Sequence, residues 1–270
     1  MKLEFLGVRG SIPVSDTDKK RYGGHTTCLL VTASSGELII IDSGTGIIKL
    51  GKRLKEKRGK LSLYILFTHF HLDHIIGLPF FYPLYFSVTE ISFYAHCSPR
   101  RIKKYLANLI GGRYFPIDFM TTPSKKVFSR VPVKPFQVGS VEISFCPLRH
   151  PQGSVGYRFE ENGKRVVIAT DTEHPENSPD EKLAAFARGA DVLVYDAYFT
   201  PEEYEDGRKN WGHSTWLEGT KLAQEAGVSK LYLTHFNPGH SDELIDNIIS
   251  LSREKFPETY AATEGEEIVL

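Results

Sequence analysis

Cysteine is scarce. Cys28, Cys97 and Cys146 are odd in number and far apart, so they do not form a disulfide framework. They read as buried free thiols of a reducing compartment. Net charge is also missing: 33 Lys and Arg balance 33 Asp and Glu. That balance excludes a globally basic nucleic-acid binder and leaves RNA only a local patch. It also gives no acidic or basic tail. No apolar run approaches the ~20 residues that span a bilayer, so no membrane partner is expected. The opening MKLEFLGVRG lacks the basic-then-apolar order of a secretory signal, which makes the cytoplasm the default location. What the chain does have is histidine, ten of them, and their positions decide the rest.

The 270 residues are enough for one large core. No linker interrupts them, so 1–270 reads as a single domain. Short β-rich runs at 2–6 and 27–32 precede the near-continuous apolar run ELIII, 37–41, which suits a strand buried on both faces. Further strands are expected at 61–67, 91–95, 141–146, 154–159, 165–169, 191–195 and 230–234. Helices are expected at 46–58, 99–109, 179–188, 215–226 and 241–254, with a helix start in 74–86 despite Pro79 and Pro83. This alternation argues α/β architecture with helices covering sheet faces. The least regular stretch, 110–135, reads as a lid, an interface strip or plain loop packing. LYILFTHFHLDH (63–74) and LYLTHFNPGH (231–240) echo one another. The echo is either coincidence or a trace of two pseudo-equivalent halves.

His69-x-His71-x-Asp73-His74 directly follows a buried strand. On an extended backbone i and i+2 face the same way, so His69 and His71 can chelate one ion together. Asp73 and His74 come after the turn and can hold a second. Imidazole with carboxylate suits zinc, with manganese or iron as alternatives. Three more candidates close apolar strands: His150, Asp171 and His235. His69, His71 and His150 then hold one ion, and Asp73, His74 and His235 hold the other. Asp171 bridges the two, and each ion keeps an open position for a bridging water or hydroxide.

The HxHxDH motif, the later His150, the Thr170-Asp171 pair and the final Thr234-His235-Phe236 resemble the metallo-β-lactamase fold, a four-layer αβ/βα sandwich. The likeness spans nearly the whole chain and implies a dinuclear metal-dependent hydrolase. Asp42, in Asp42-Ser43-Gly44, then supports the ligands from behind. Branches with a Cys ligand, with Glu in place of His71, or with a helical glutathione-binding extension match less well. Trp211-Gly212-His213-Ser214-Thr215 is similar to the C-terminal part of ribonuclease Z and related phosphodiesterases. There the histidine stands over the metals. His213 is therefore expected to neutralise phosphoryl charge or protonate a departing oxygen. Asp196 is its expected partner, or else a loop-capping acid. Ser214 or Thr215 caps the helix that follows.

The stretch from Gly7 to Pro13, with Tyr22-Gly23-Gly24-His25, resembles the compact group that includes the cyclic phosphodiesterase associated with carbon–phosphorus lyase. In it, Arg9 and Ser11 are candidates to reach a phosphate. His25 is a turn residue or a donor to substrate. His96, His174 and His240 receive no role. The resulting expectation is a phosphodiesterase acting on a small or cyclic phosphodiester through a metal-bridging hydroxide, with Asp73, His213 and Asp196 as catalytic residues. A ribonuclease Z-like RNA endonuclease is the alternative, or a carboxyl ester or lactone hydrolase of the same fold. A homodimer is left open.

Overall fold

The structure is a computed structural model, and it describes residues 1–56, 59–112, 114–176 and 180–270. The expected helices 46–58 and 179–188 and the stretch 110–135 extend in part onto residues outside that set.

Among the described residues, fourteen strands form two seven-stranded sheets. The first contains β1 (Lys2–Gly7), β2 (Cys28–Thr32), β3 (Leu38–Ile41), β4 (Leu61–Leu66), β5 (Thr89–Ala95), β6 (Lys125–Arg130) and β14 (Glu267–Val269), in the order β14-β1-β2-β3-β4-β5-β6. The second contains β7 (Phe136–Val138), β8 (Val141–Leu148), β9 (Ser154–Glu161), β10 (Lys164–Ala169), β11 (Val192–Asp196), β12 (Lys230–Thr234) and β13 (Thr259–Ala261), in the order β13-β12-β11-β10-β9-β8-β7. Each sheet passes from antiparallel pairings at one side to parallel pairings at the other. The helices are α1 (Ile47–Lys55), α2 (Pro99–Leu109), α3 (Glu181–Ala187), α4 (Pro201–Glu205), α5 (Trp216–Ala226) and α6 (Asp242–Lys255).

The layering follows from strands with apolar side chains on both faces. In β2 and β3, Leu29, Val31, Ile39 and Ile41 join a core shared with Ile143, Tyr157 and Phe159 of the other sheet. Their neighbours Leu30 and Ile40 point the opposite way, into a second core with Leu50 and Leu54 of α1 and Ile102 and Leu106 of α2. Leu183 of α3, Leu222 of α5 and Ile245 of α6 extend the inter-sheet core over the far side of the second sheet. The result is the four-layer sandwich. Burial of each such side chain stabilises it by roughly 1.5–3 kcal/mol.

The expected elements appear within a few residues of their predicted bounds. The exception is 74–86, where short 3-10 turns at Leu72–His74, Leu78–Phe80 and Tyr82–Tyr85 replace a helix. Pro79 and Pro83 remove the N–H donors that a continuous helix needs. Part of 110–135 is strand β6, paired in parallel with β5. The matching strand orders make β3 equivalent to β10, β4 to β11 and β5 to β12. The Thr-His-Phe echo lies after β4 and β12 and so does not follow this correspondence. What does follow it is an aspartate just past each of β3 and β10. Asp42 and Asp171 both adopt left-handed φ, 60° and 56°.

Candidate metal centre

The carboxyl ends of β4, β8, β10, β11 and β12 converge at one edge of the sandwich. β4 stops at Leu66, so strand alternation is not what unites His69 with His71. The loop after it does so, anchored because the Thr68 backbone N–H and hydroxyl both donate to the Asp42 carboxylate at 2.8 Å. The His69 and His71 rings lie 4.4 Å apart, and His150 comes within 4.8 Å of both. One ligand atom from each of these three residues forms a tight group. Asp73, His74, Asp171 and His235 form a second, fully buried group. Asp171 faces both. Its oxygens lie 3.1 Å from His74 Nε2, 3.3 Å from His235 Nε2 and 3.8 Å from His69 Nε2.

Hydrogen bonds on the outer side of the rings fix which nitrogen faces inward. His74 Nδ1 lies 2.8 Å from Asp42 Oδ2, and His150 Nδ1 lies 2.8 Å from the Gly212 carbonyl. Both acceptors require an Nδ1–H. Thr27 gives its proton to the Arg9 carbonyl, so its oxygen accepts from His235 Nδ1 at 2.8 Å. Thr68, already donating to Asp42, accepts from His69 Nδ1 at 3.1 Å. These four rings therefore turn bare Nε2 lone pairs toward the centre. His71 instead presents Nδ1, which is 3.1 Å from His150 Nε2.

Among the described residues, His69 Nε2, His74 Nε2, His235 Nε2 and Asp171 Oδ2 are buried without a hydrogen-bond partner. Each such atom costs about 1–3 kcal/mol in an ordinary core. Four together, with mutually facing lone pairs, fit divalent cations bound by nitrogen and oxygen. The electrostatics agree. Burial pulls the His74 imidazole down, but Asp171, Asp73 and Asp42 outweigh it and hold it well above its ordinary value. Burial pushes Asp171 up, but His235, His74 and His69 outweigh that and hold it well below the usual carboxylate range. A field that draws a proton to His74 also draws a metal cation.

His213 Nδ1 donates to Asp196 Oδ2 at 3.0 Å, the expected pairing despite the short side chain. Asp196 also accepts the backbone N–H groups of Asp171, Tyr198 and Ser214. Asp196 and His213 also form a third group of close ligand atoms with Asp171 and His235, but three backbone N–H groups and the His213 ring already occupy the Asp196 oxygens. The His213 ring stacks on Tyr198 at 4.4 Å and lies 5.2 Å from His235. Burial lowers its pKa, and Asp196, with help from Asp171 and Asp73, more than reverses this, so His213 sits above its ordinary value. Tyr198 was not anticipated. Its hydroxyl meets Ser11 Oγ at 2.9 Å, and the Ser11 backbone N–H donates to Asp73 Oδ2 at 2.8 Å.

Several expectations change. Arg9 cannot reach a phosphate. It is fully buried, and its guanidinium donates to the carbonyls of Gly23 and His240 at 2.9 and 2.7 Å. Cys28 is buried, but Cys97 and Cys146 are only partly so. His25 is a loop residue, 3.1 Å from the Thr45 hydroxyl. His174 lies 3.0 Å from Ser214 Oγ, and His240 is buried against Glu203 at 2.9 Å. Thr215, not Ser214, caps α5. Glu173 gave no sequence signal. Its carboxylate accepts Tyr204 O–H and Asn210 N–H at 2.6 Å and Gly212 N–H at 3.0 Å, pinning the segment that carries Gly212 and His213. Gly212 needs its φ of +89°, and a Cβ there would lie 2.3 Å from His150 Nδ1.

The family described as beta-lactamase superfamily domain matches residues 38–236. A ribonuclease Z of Bradyrhizobium sp. (strain ORS 278) is 27% identical over 327 aligned positions, which cover 100% of this chain and 99% of that protein. A ribonuclease Z of Brevibacillus brevis is 34% identical over 106 residues, covering 38% of this chain and 31% of that protein. Among solved structures, the metallo-beta-lactamase fold protein YhfI from Bacillus subtilis superposes with TM-score 0.74 at 21% identity, over 99% of both chains. A diphosphatase from the PhnP family gives 0.72 at 20% identity, over 100% of this chain and 97% of that one. Human tRNase Z, short form, gives 0.66 at 16% identity, over 100% and 99%. No helix among the described residues is long and apolar enough to cross a membrane.

Proposed function

The chain belongs to the β-lactamase superfamily, and from that membership we propose that it is a dinuclear metal-dependent phosphodiesterase acting on a small or cyclic phosphodiester. The observation that carries this reading is the position of His213. It is an imidazole held by a buried aspartate beside the two adjoining ligand groups, with its own Nε2 left for substrate. His69, His71 and His150 would hold one ion and Asp73, His74 and His235 the other, with Asp171 touching both groups. Two divalent ions, zinc with manganese or iron as alternatives, supply positive charge to phosphoryl oxygens and lower the pKa of water toward neutrality.

The chain's own residues supply the rest. Asp73 is oriented by the Ser11 N–H and can accept a proton of the attacking water. His213 carries its proton on Nε2 as well as Nδ1 when charged. It then neutralises phosphoryl charge and protonates the departing oxygen, a contribution of about 10²–10⁴ in rate. Asp196 keeps the ring in that orientation. Turnover of bis(p-nitrophenyl) phosphate and of a panel of cyclic nucleotides by the metal-loaded protein tests the reading. No turnover of any phosphodiester ends it.

One observation favours a second reading, RNA cleavage. The curated relatives named above are ribonuclease Z enzymes. However, the 327 aligned positions exceed the 270 residues of this chain, so the Bradyrhizobium enzyme has segments without a counterpart here. A gel assay with precursor transfer RNA separates the two readings. Binding that weakens steeply with salt favours RNA.

A further inference from the structure

Beside the first ligand group lies an open cleft of about 830 Å³. His69 and His71 form part of its wall, so whatever fills it is continuous with a group reacting at the centre. α2 supplies one side. Ile102 and Leu106 are buried in the core, while Arg101, Tyr105 and Asn108 share the other face of the helix and line the cleft. Phe70, between His69 and His71, meets Tyr105 of that helix, and the segment after the histidine motif adds Phe80.

Three properties of this cleft select its occupant. Its walls are aromatic. Phe70 and Tyr105 pair at 5.0 Å, Phe80 and Phe115 meet edge to face at 5.7 Å, and Phe80 is 56% exposed. Among the described residues, no Asp or Glu lines it, which disfavours a cationic guest. Finally, Asn108, Gln152 and Arg101 place amide and guanidinium groups beside these aromatic rings, with the imidazoles of His69 and His71 at the end nearest the centre. Amides can pair with a heteroaromatic edge, and the cleft has ample room for one ring system with its sugar.

We infer that this cleft binds the nucleoside group of a phosphodiester, stacking the base on Phe70, Phe80 and Tyr105 while the phosphate reaches the metal centre. The inference rests on the phosphodiesterase reading above and names its substrate class as a nucleoside ester. Stacking tolerates any base, because each has a π face. Discrimination between bases would therefore be small, and discrimination between nucleoside and alkyl esters large.

Two esters with the same leaving group provide the test: thymidine 5′-(p-nitrophenyl phosphate) and methyl p-nitrophenyl phosphate. In the metal-loaded protein, kcat/KM for the nucleoside ester should exceed that for the methyl ester by roughly 5- to 100-fold, carried mainly by a lower KM. Tyr105→Ala should pull the ratio toward one, and Tyr105→Phe, which keeps the ring, should preserve it. Equal rates for the two esters, or a ratio indifferent to Tyr105→Ala, overturns the inference and leaves the phosphodiesterase reading intact. If neither ester turns over, that reading fails, and calorimetry with thymidine 5′-monophosphate decides the cleft separately. Binding weakened in Tyr105→Ala supports it, and no binding overturns it. Sedimentation showing a dimer that Tyr105→Ala dissociates would place a second copy in the cleft and overturn it as well.

Discussion

Glu173 accepts the backbone N–H of Gly212, whose carbonyl in turn receives His150 Nδ1. A carboxylate with no place among the ligands thus governs the angle of one ligand ring and the height of His213, the next residue along. Glu173→Gln loses one of the acceptor oxygens that serve Tyr204, Asn210 and Gly212. Affinity for the ion proposed to sit between His69, His71 and His150 should fall by roughly tenfold, within the usual range for partners behind a ligand. Turnover should fall by a similar factor. Metal titration by calorimetry checks this, and unchanged affinity together with unchanged rate would refute it.

Asp196 raises the His213 pKa through its charge and hydrogen bond, against burial. An acid serves while protonated, so activity should persist below that pKa and decline as pH rises through it. Asp196→Asn removes the largest raising cause, so the alkaline limb of kcat should move to lower pH. The rate at neutral pH should fall by about 10²-fold. A pH–rate profile across the neutral and alkaline range gives the answer, and an unmoved limb would assign it to another group.

His213→Ala should depend on the leaving group. An alkoxide needs a proton to depart, and its ester should lose about 10²–10⁴ in rate. p-Nitrophenolate departs without one, and its ester should lose far less. Equal losses would make His213 a binder of phosphoryl charge instead of an acid.

Metal removal should cost stability. Buried, unpartnered atoms at His69, His74, His235 and Asp171 gain a common partner when a cation binds. Zinc at a hundredfold excess over its Kd adds about 2.7 kcal/mol per site. For a chain of this size that is a Tm increase of at least about 5 °C, reversed by chelation. Differential scanning calorimetry measures it. A Tm indifferent to zinc and chelator would count against these residues as ligands.

Gly10 approaches the second group so closely that a Cβ there would lie 2.6 Å from the His235 ring. Thr27 holds that ring from behind, so it has little freedom to retreat. Gly10→Ala should lower bound metal from two ions toward one and reduce turnover more than tenfold. The overpacking should cost about 1–3 kcal/mol of stability. Metal content by elemental analysis and a thermal melt distinguish this from a silent change.

Residue type marked the candidate ligands in the sequence, and the fold brings them together in two adjoining groups. His69, His71, Asp73, His74, His150, Asp171 and His235 could be picked out because an imidazole or carboxylate closing an apolar strand has few other reasons to be there. The pairing of His213 with Asp196 came from family likeness, and the geometry agrees with it. Residues whose part depends on distant backbone were not legible. Glu173 acts on Asn210 and Gly212, far along the chain, and Arg9 spends its charge on carbonyls of two remote loops. Tyr198 reads as one more apolar residue until it is seen stacked on His213. Short edge strands such as β13 and β14 carry too few residues to show a pattern. The turns at 72–85 show two prolines overriding an apolar run.

Asp42 and Asp171 occupy matching places in the two sheets, and they meet opposite nitrogens of the same ring, that of His74. On the proposed ligand set, neither half of the molecule supplies a complete coordination sphere. His69, His71, Asp73 and His74 come from one half, and His150, Asp171 and His235 from the other. The centre is in effect a subunit interface within a single chain. Its affinity for metal and the docking of the sheets are two readings of one equilibrium, so a cavity cut into the inter-sheet core, far from any ligand, would be felt as a looser grip on the ions.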